Sequence, residues 1–180
     1  MIVRTLLASA LLLSSLAAHA ACSALLDRSF RPLADQTPVN LCERFEGQVL
    51  LVVNTASKCG FTPQYEGLEA LHAEYAGKGF SVVGFPSNDF MGQEPGTEKE
   101  IREFCTLTYG VKFPMFEKVS VKGDVADPFY QELAKQGGGA PGWNFHKYLI
   151  GKDGQVIKAF GSRVKPDAAE LRQAIDEALR

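Results

Sequence analysis

The stretch that most constrains this chain is Val49 to Val53, five apolar residues in an unbroken run ending in the polar segment Asn54-Thr-Ala-Ser-Lys-Cys-Gly-Phe-Thr62. An apolar run without alternation, bounded by turn signals, predicts a strand buried on both faces. Beyond the turn, Leu68, Leu71 and Tyr75 share one helical face. A buried strand feeding a helix is half of a βαβ unit. Cys59 therefore falls in the turn ahead of a helix, where backbone N–H groups and the helix dipole favour an anion. The sequence reads as a support for a reactive thiolate at Cys59. The competing reading is a buried, inert cysteine, and the rest of the chain decides between the two.

Phe80 to Pro86 predicts a second buried strand, parallel to the first because a helix joins them. The helix between them runs to about Lys78, where Gly77 and Gly79 stop it. A long polar loop, residues 87 to 96, follows the second strand, in a position where loops carry function more often than packing. Thr97 and Glu100 are spaced as a capping box, opening a helix with Ile101, Phe104, Cys105 and Thr108 at helical intervals. Phe113 to Phe116 is a short apolar piece whose Pro114 peptide could be cis or trans. Val119 to Val121 predicts a short strand, and Asp127-Pro128 starts a helix through Leu133. His146 to Ile150 and Val156 to Phe160 flank the hairpin turn Lys152-Asp153-Gly154. Ala168, Leu171, Ile175 and Leu179 mark a closing helix. At the other end, residues 24 to 33 and 39 to 45 predict a hairpin turning near residue 36, with Cys42 opposite about residue 30. The sum is an α/β fold of thioredoxin type: a central mixed sheet flanked by helices, with an N-terminal β-hairpin.

Residues 1 to 20 carry one positive charge, a short apolar region and the small-residue site Ala18-His19-Ala20. That pattern predicts a signal peptide cleaved after Ala20 and a product that is periplasmic or secreted, with residues 21 to 180 as one domain. The apolar region is too short and too interrupted for a membrane span. Cys22 raises the further possibility of lipid attachment, but His19 stands where a Leu-like residue is expected. All four cysteines, Cys22, Cys42, Cys59 and Cys105, lie in the mature part. In an oxidising compartment a Cys22–Cys42 disulfide is the expected pairing, although it needs a bend before the hairpin. The formal net charge is −2, with no basic patch, so nucleic-acid binding has no electrostatic support.

A peroxide-reducing thiol needs a thiolate, donors for the charge on the sulfur and the leaving oxygen, and a route back to thiol. Gln93, Trp143 and Asn144 supply neutral donors of the right kind, none of which quenches a thiolate. There is no convincing Cys–His pair: His19 leaves with the signal, His72 lies on a helix and His146 begins a strand. Three segments in order, the Cys59 motif, Phe85-Pro-Ser-Asn-Asp-Phe-Met-Gly-Gln-Glu-Pro95 and Trp143-Asn-Phe-His-Lys-Tyr-Leu149, are together similar to the signatures of the cysteine-containing glutathione peroxidases. The resemblance covers about residue 24 to 180. It implies a catalytic tetrad of Cys59, Gln93, Trp143 and Asn144, with no cofactor and no metal. It also implies a resolving role for Cys105, as in the thioredoxin-dependent members, for which its helix must partly unwind. Ser87 and Asp89 depart from the family's Cys and Gln, and Asp89 adds a negative charge near the expected pocket. The short connection between Leu133 and Trp143 resembles that of monomeric members. The activity so implied is reduction of H2O2 or organic hydroperoxides, recycled by a thioredoxin-like protein or directly by glutathione. A disulfide oxidoreductase on the same fold is the rival, but such proteins carry Cys-x-x-Cys, and Thr62 stands three residues beyond Cys59.

Overall fold

The computed structural model describes residues 23 to 33 and 35 to 180, so the expected signal segment and Cys22 lie outside it. Its centre is a four-stranded sheet in the order β4-β3-β5-β6, built from β3 (Val49–Thr55), β4 (Phe80–Pro86), β5 (Lys147–Ile150) and β6 (Val156–Phe160). The β3–β4 pair is parallel in the register Val49↔Phe80 to Thr55↔Pro86, and β5 joins the other side of β3 antiparallel. This is the mixed sheet that the sequence predicts. Every residue of β3 and β4 is buried, including the polar Asn54, Thr55 and Ser81 beside the apolar residues. Val49, Leu51 and Val53 face one core with Leu68, Leu71, Leu171 and Ile175. Leu50 and Val52 face a second core with Phe30, Phe85, Phe116 and Phe129. These cores are covered by α2 (Gln64–Tyr75) and α5 (Ala169–Leu179) on one side and α4 (Pro128–Gly137) on the other.

The connecting helix ends as a 3-10 turn, Ala76–Lys78, with Gly79 taking φ +82° to lead into β4. In α3 (Glu98–Tyr109), the Thr97 side chain accepts from the Glu100 N–H while Glu100 reaches back to the Thr97 N–H. At the other end of α3, Gly110 takes φ +62°, and its N–H and that of Val111 return to the carbonyls of Thr106 and Cys105.

Three local expectations are corrected. The hairpin is only β1 (Ser29–Phe30) against β2 (Val39–Asn40). Its second arm stops because the Asn40 carboxamide accepts from the Cys42 and Glu43 N–H groups and caps α1 (Leu41–Phe45). Its register pairs Ser29 with Asn40, which sets the Cys42 N–H on the Leu26 carbonyl rather than opposite residue 30. Residues 119 to 121 form no strand. They are held instead by a Val119 N–H to Pro86 carbonyl bond and a Val121 N–H to Asp89 carboxylate bond of 2.6 Å. Asp89 thereby serves as a loop anchor. No peptide bond among the described residues is cis, so Pro114 is trans.

Candidate active site

The turn after β3 is assembled by its own polar side chains. Thr62 Oγ1 accepts from the Cys59 N–H at 3.0 Å and donates to the Ala56 carbonyl at 2.8 Å, pinning both sides of the turn. Cys59 is 8 % exposed, a free thiol, and the Phe61 N–H points at its sulfur at 3.4 Å. The helix α2 begins after this turn, at Gln64. The donor facing the sulfur is therefore a turn amide just ahead of the helix, as the strand-turn-helix pattern requires.

Two distant segments close on this turn. The Gln93 carbonyl accepts from the Lys58 N–H at 3.0 Å, setting the 87 to 96 loop directly beside Cys59. The Gln93 side chain in turn accepts from Asn144 Nδ2 at 3.0 Å. Asn54, at the end of β3, ties the third segment down. Its carboxamide donates to the Trp143 carbonyl at 3.1 Å and accepts from the His146 N–H at 3.1 Å, while its own carbonyl accepts from the Phe145 N–H. Trp143 packs against the core that holds Cys59 and, at 5.4 Å between ring centroids, on Phe90. Gln93, Trp143 and Asn144 are thus joined to the Cys59 turn. Two non-glycine residues with positive φ flank these donors, Met91 (φ 55°) and Phe145 (φ 62°). Such backbone costs about 1–3 kcal/mol and collects at functional sites. Asn144 is fully buried with Oδ1 unpartnered. A hollow lined by Phe61, Trp143, His146 and Arg163 opens alongside. Burial pushes the His146 imidazole down to about 4, so it is neutral near pH 7 and a weak base, in keeping with the absence of a Cys–His pair.

Cys105 sits in a different environment. It is a free thiol on α3, 2 % exposed, and burial pushes it up to about 11. The Tyr65 hydroxyl faces it, outside hydrogen-bond geometry and without another partner. The other free thiol among the described residues is Cys59; Cys42 is not one of them, and Cys22 lies outside the description.

Two buried ionisable groups escape the sequence reading. Glu94 is fully buried; its Oε2 accepts from Ser57 Oγ at 3.1 Å, its N–H donates to Asn88 Oδ1 at 2.8 Å, and its Oε1 has no partner. Burial raises its carboxyl above the ordinary range. Lys147 is fully buried on β5, donating to Gln64 Oε1 at 2.6 Å and to the Val164 carbonyl at 2.7 Å, and burial pushes it down to about 7. It ties the start of α2 to the connection between β6 and α5. Alternation on β5 could have placed Lys147 facing the core, opposite Val53. No pattern in the exposed-looking run Gln93-Glu94-Pro95-Gly96 announces a buried carboxyl.

Residues 29–134 match the family model described as glutathione peroxidase. A hydroperoxy fatty acid reductase of Synechocystis sp. is 50 % identical over 155 residues, covering 81 % of this chain and 90 % of that protein. A thioredoxin/glutathione peroxidase of Escherichia coli is 42 % identical over 165 residues, covering 78 % and 90 %. Among solved structures, that of Trgpx in apo form superposes with a TM-score of 0.68 at 36 % identity, covering 86 % of this chain and 95 % of that one.

Proposed function

The chain belongs to the glutathione peroxidase family, and from that premise we propose that it is a thiol peroxidase acting through Cys59. The Cys59 thiolate attacks the near oxygen of H2O2 or an organic hydroperoxide. The O–O bond breaks, water or alcohol leaves, and the sulfur becomes a sulfenic acid. Gln93, Trp143 and Asn144 stabilise the charge as it moves from sulfur to the leaving oxygen. Cys105 then condenses with the sulfenic acid, releasing water and forming a disulfide that a thioredoxin-like dithiol protein reduces. The observation that carries this reading is the closure of the Gln93 loop and Asn144 onto the Cys59 turn, with the Phe61 N–H on the sulfur. The test is stopped-flow oxidation of the reduced mature protein by H2O2. A rate like that of free cysteine would defeat it and leave the disulfide oxidoreductase rival in place.

Direct use of glutathione, through a mixed disulfide on Cys59, is the second reading, favoured by the likeness to the thioredoxin/glutathione peroxidase of Escherichia coli. Steady-state turnover with thioredoxin and with glutathione, before and after Cys105→Ser, separates the two. We also infer export with cleavage after Ala20, a monomeric product and a Cys22–Cys42 disulfide. For the disulfide, the Leu26 and Asp27 N–H groups both return to the Ser23 carbonyl, while the Leu26 carbonyl accepts from Cys42. That turn supplies the bend which brings the chain just after residue 22 back towards Cys42. Intact mass of the non-reduced exported protein checks cleavage and disulfide together. Sedimentation checks the monomer.

A further inference from the structure

Lys147 is the one wholly buried cation among the described residues, and the peroxide step makes no use of it. A buried charge is kept only where good acceptors meet it, so its partners show what it holds. On β5 it pairs with Val53 of β3 on one side and with Phe160 of β6 on the other. Its nitrogen donates to Gln64 Oε1 at 2.6 Å and to the Val164 carbonyl at 2.7 Å. Gln64 uses the other end of its carboxamide to donate from Nε2 to the Ser162 carbonyl at 2.7 Å. The turn 161–164 is closed by the Val164 N–H on the Gly161 carbonyl. It is therefore pinned by two further carbonyls, one on each side of Arg163. The backbone N–H of Gln64 donates to the Phe61 carbonyl at 2.9 Å, and the Phe61 N–H faces the Cys59 sulfur. One unbroken set of hydrogen bonds thus runs from the turn 161–164 to the Cys59 turn.

These bonds fix the wall of the hollow beside Cys59. Phe61, Trp143, His146 and the turn residues 161–163 enclose about 390 Å³, room for a small organic group. Arg163 forms part of that wall and makes no ion pair among the described residues. Its place is set by the pinned backbone on either side of it. We propose that Lys147 is a positioning residue for substrate selection: through Gln64 it fixes the turn 161–164 against the Cys59 turn, so that the hollow holds the alkyl group of an organic hydroperoxide while the peroxy oxygens reach the sulfur. The inference rests on the thiol peroxidase reading and adds to it the residue that sets the preference among peroxides. H2O2 has no organic group to meet the wall, so its reaction does not depend on the clamp.

A lysine suits this place. Two oxygens from separate segments converge on one nitrogen. Burial brings the Lys147 ammonium down to about 7, yet the nitrogen keeps at least two N–H bonds in either protonation state, one for each acceptor. The clamp therefore holds on both sides of neutrality. With Oε1 occupied by Lys147, the Gln64 carboxamide presents its NH2 group to Ser162 and not its oxygen. A methionine at 147 fills a similar space but leaves Gln64 Oε1 and the Val164 carbonyl without this donor. The carboxamide is then free to turn, and the turn 161–164 loses its hold on α2.

The reduced protein is mixed in rapid quench with H2O2, tert-butyl hydroperoxide or cumene hydroperoxide, and oxidation of Cys59 is followed by intact mass. Wild type is compared with Lys147→Met and Gln64→Met. In both variants the rate constant for cumene hydroperoxide should fall about tenfold while that for H2O2 stays within about twofold. The loss for tert-butyl hydroperoxide should lie between them. Gln64→Glu keeps the acceptor for Lys147 and gives up the donor to Ser162, so its loss with cumene hydroperoxide should be smaller than in Gln64→Met. A merely structural tie would lower the melting temperature and slow all three peroxides alike. That result overturns the inference, as does an unchanged preference or a gain with the bulkier peroxides. If Lys147→Met fails to fold, Gln64→Met decides alone, since Gln64 is half-buried at the first position of α2. A wild type no faster than free cysteine with any peroxide defeats the peroxidase reading and this inference with it. A fast wild type whose variants keep its preference defeats the inference alone.

Discussion

Cys59 and Cys105 are both buried free thiols, yet the chain surrounds them in opposite ways. Cys59 occupies a turn between strand and helix, where a backbone N–H points at the sulfur and Thr62 locks the loop. Cys105 occupies the third turn of a helix that satisfies its own backbone, and among the described residues no N–H is directed at its sulfur. A turn leaves amides free to solvate an anion, whereas a helix spends them on its own carbonyls. One thiol is arranged to react where it stands. The other is stored as a neutral thiol and must be released before it reacts.

The largest expected effect tests the division of labour. Cys59→Ser should lower peroxide reduction by about a thousandfold or more, since the nucleophile itself is gone. Cys105→Ser should still form Cys59 sulfenic acid in a single turnover, while thioredoxin-driven cycling falls about tenfold or more. H2O2 consumption and intact mass after one equivalent of peroxide measure both. Equal loss in the two variants would break the comparison.

A second test reads the storage of Cys105 from stability. Its folded value of about 11 stands above that of an unfolded cysteine. The folded state therefore holds the proton more tightly than the unfolded state. The corresponding stability is complete below the unfolded value and is lost as pH rises from about 8.5 through 11. Relative to Cys105→Ser, the reduced protein should lose up to about 2–3 kcal/mol across that window in urea melts. Lys147 works in the other direction. Its value is depressed to about 7, so the burial cost is full below that pH and is relieved as pH rises towards 10.5. The difference between the wild type and Cys105→Ser cancels it.

A third test acts on the Cys59 turn. Thr62→Val keeps the shape but removes the acceptor for the Cys59 N–H and the donor to Ala56. Losing these buried bonds should cost about 1–3 kcal/mol. Loosening the turn should slow sulfenic acid formation severalfold while leaving the condensation step near its wild-type rate.

The contrast between the two thiols was half legible in the sequence. Val49 to Val53 is legible as a buried strand because a fully apolar run leaves no solvent face, Phe80 to Pro86 because Ser81 is the one polar residue in it, and Thr97 with Glu100 announces the start of α3. Gln93, Trp143 and Asn144 are legible as a set only through the family resemblance, since nothing in their spacing brings residues 93 and 144 together. That contact depends on Asn54 holding the 143 to 146 segment and on Lys58 holding the 87 to 96 loop, long-range bonds that no local pattern encodes. The misreadings have the same origin. Val119 to Val121 has strand-forming residues, but the Asp89 carboxylate and the Pro86 carbonyl take its N–H groups before a neighbouring strand can. Asn40 ends β2 because its side chain outcompetes the ladder for the next two amides. The burial of Glu94 is invisible for a further reason: it depends on the loop folding back so that Ser57 and Asn88 hold it.

The smallest effect discriminates most finely, because it separates the two ends of one helix. Cys105 lies close to the C-terminal end of α3, and its own carbonyl accepts from the Val111 N–H in the cap that Gly110 makes at φ +62°. Gly110→Ala places a side chain where left-handed backbone penalises it, weakening that cap by about 1 kcal/mol. Thr97→Ala removes the capping box at the opposite end for a similar cost of about 1 kcal/mol. Global stability therefore falls about equally in both. If release of Cys105 proceeds by fraying of the near end, only Gly110→Ala raises the frayed population, by up to about fivefold for 1 kcal/mol. Disulfide formation after one equivalent of peroxide should then quicken severalfold in Gly110→Ala and stay near the wild-type rate in Thr97→Ala. Equal rates in the two variants would mean that the helix lets go as a whole, and that the stored thiol is released by displacing α3 rather than by unwinding its last turn.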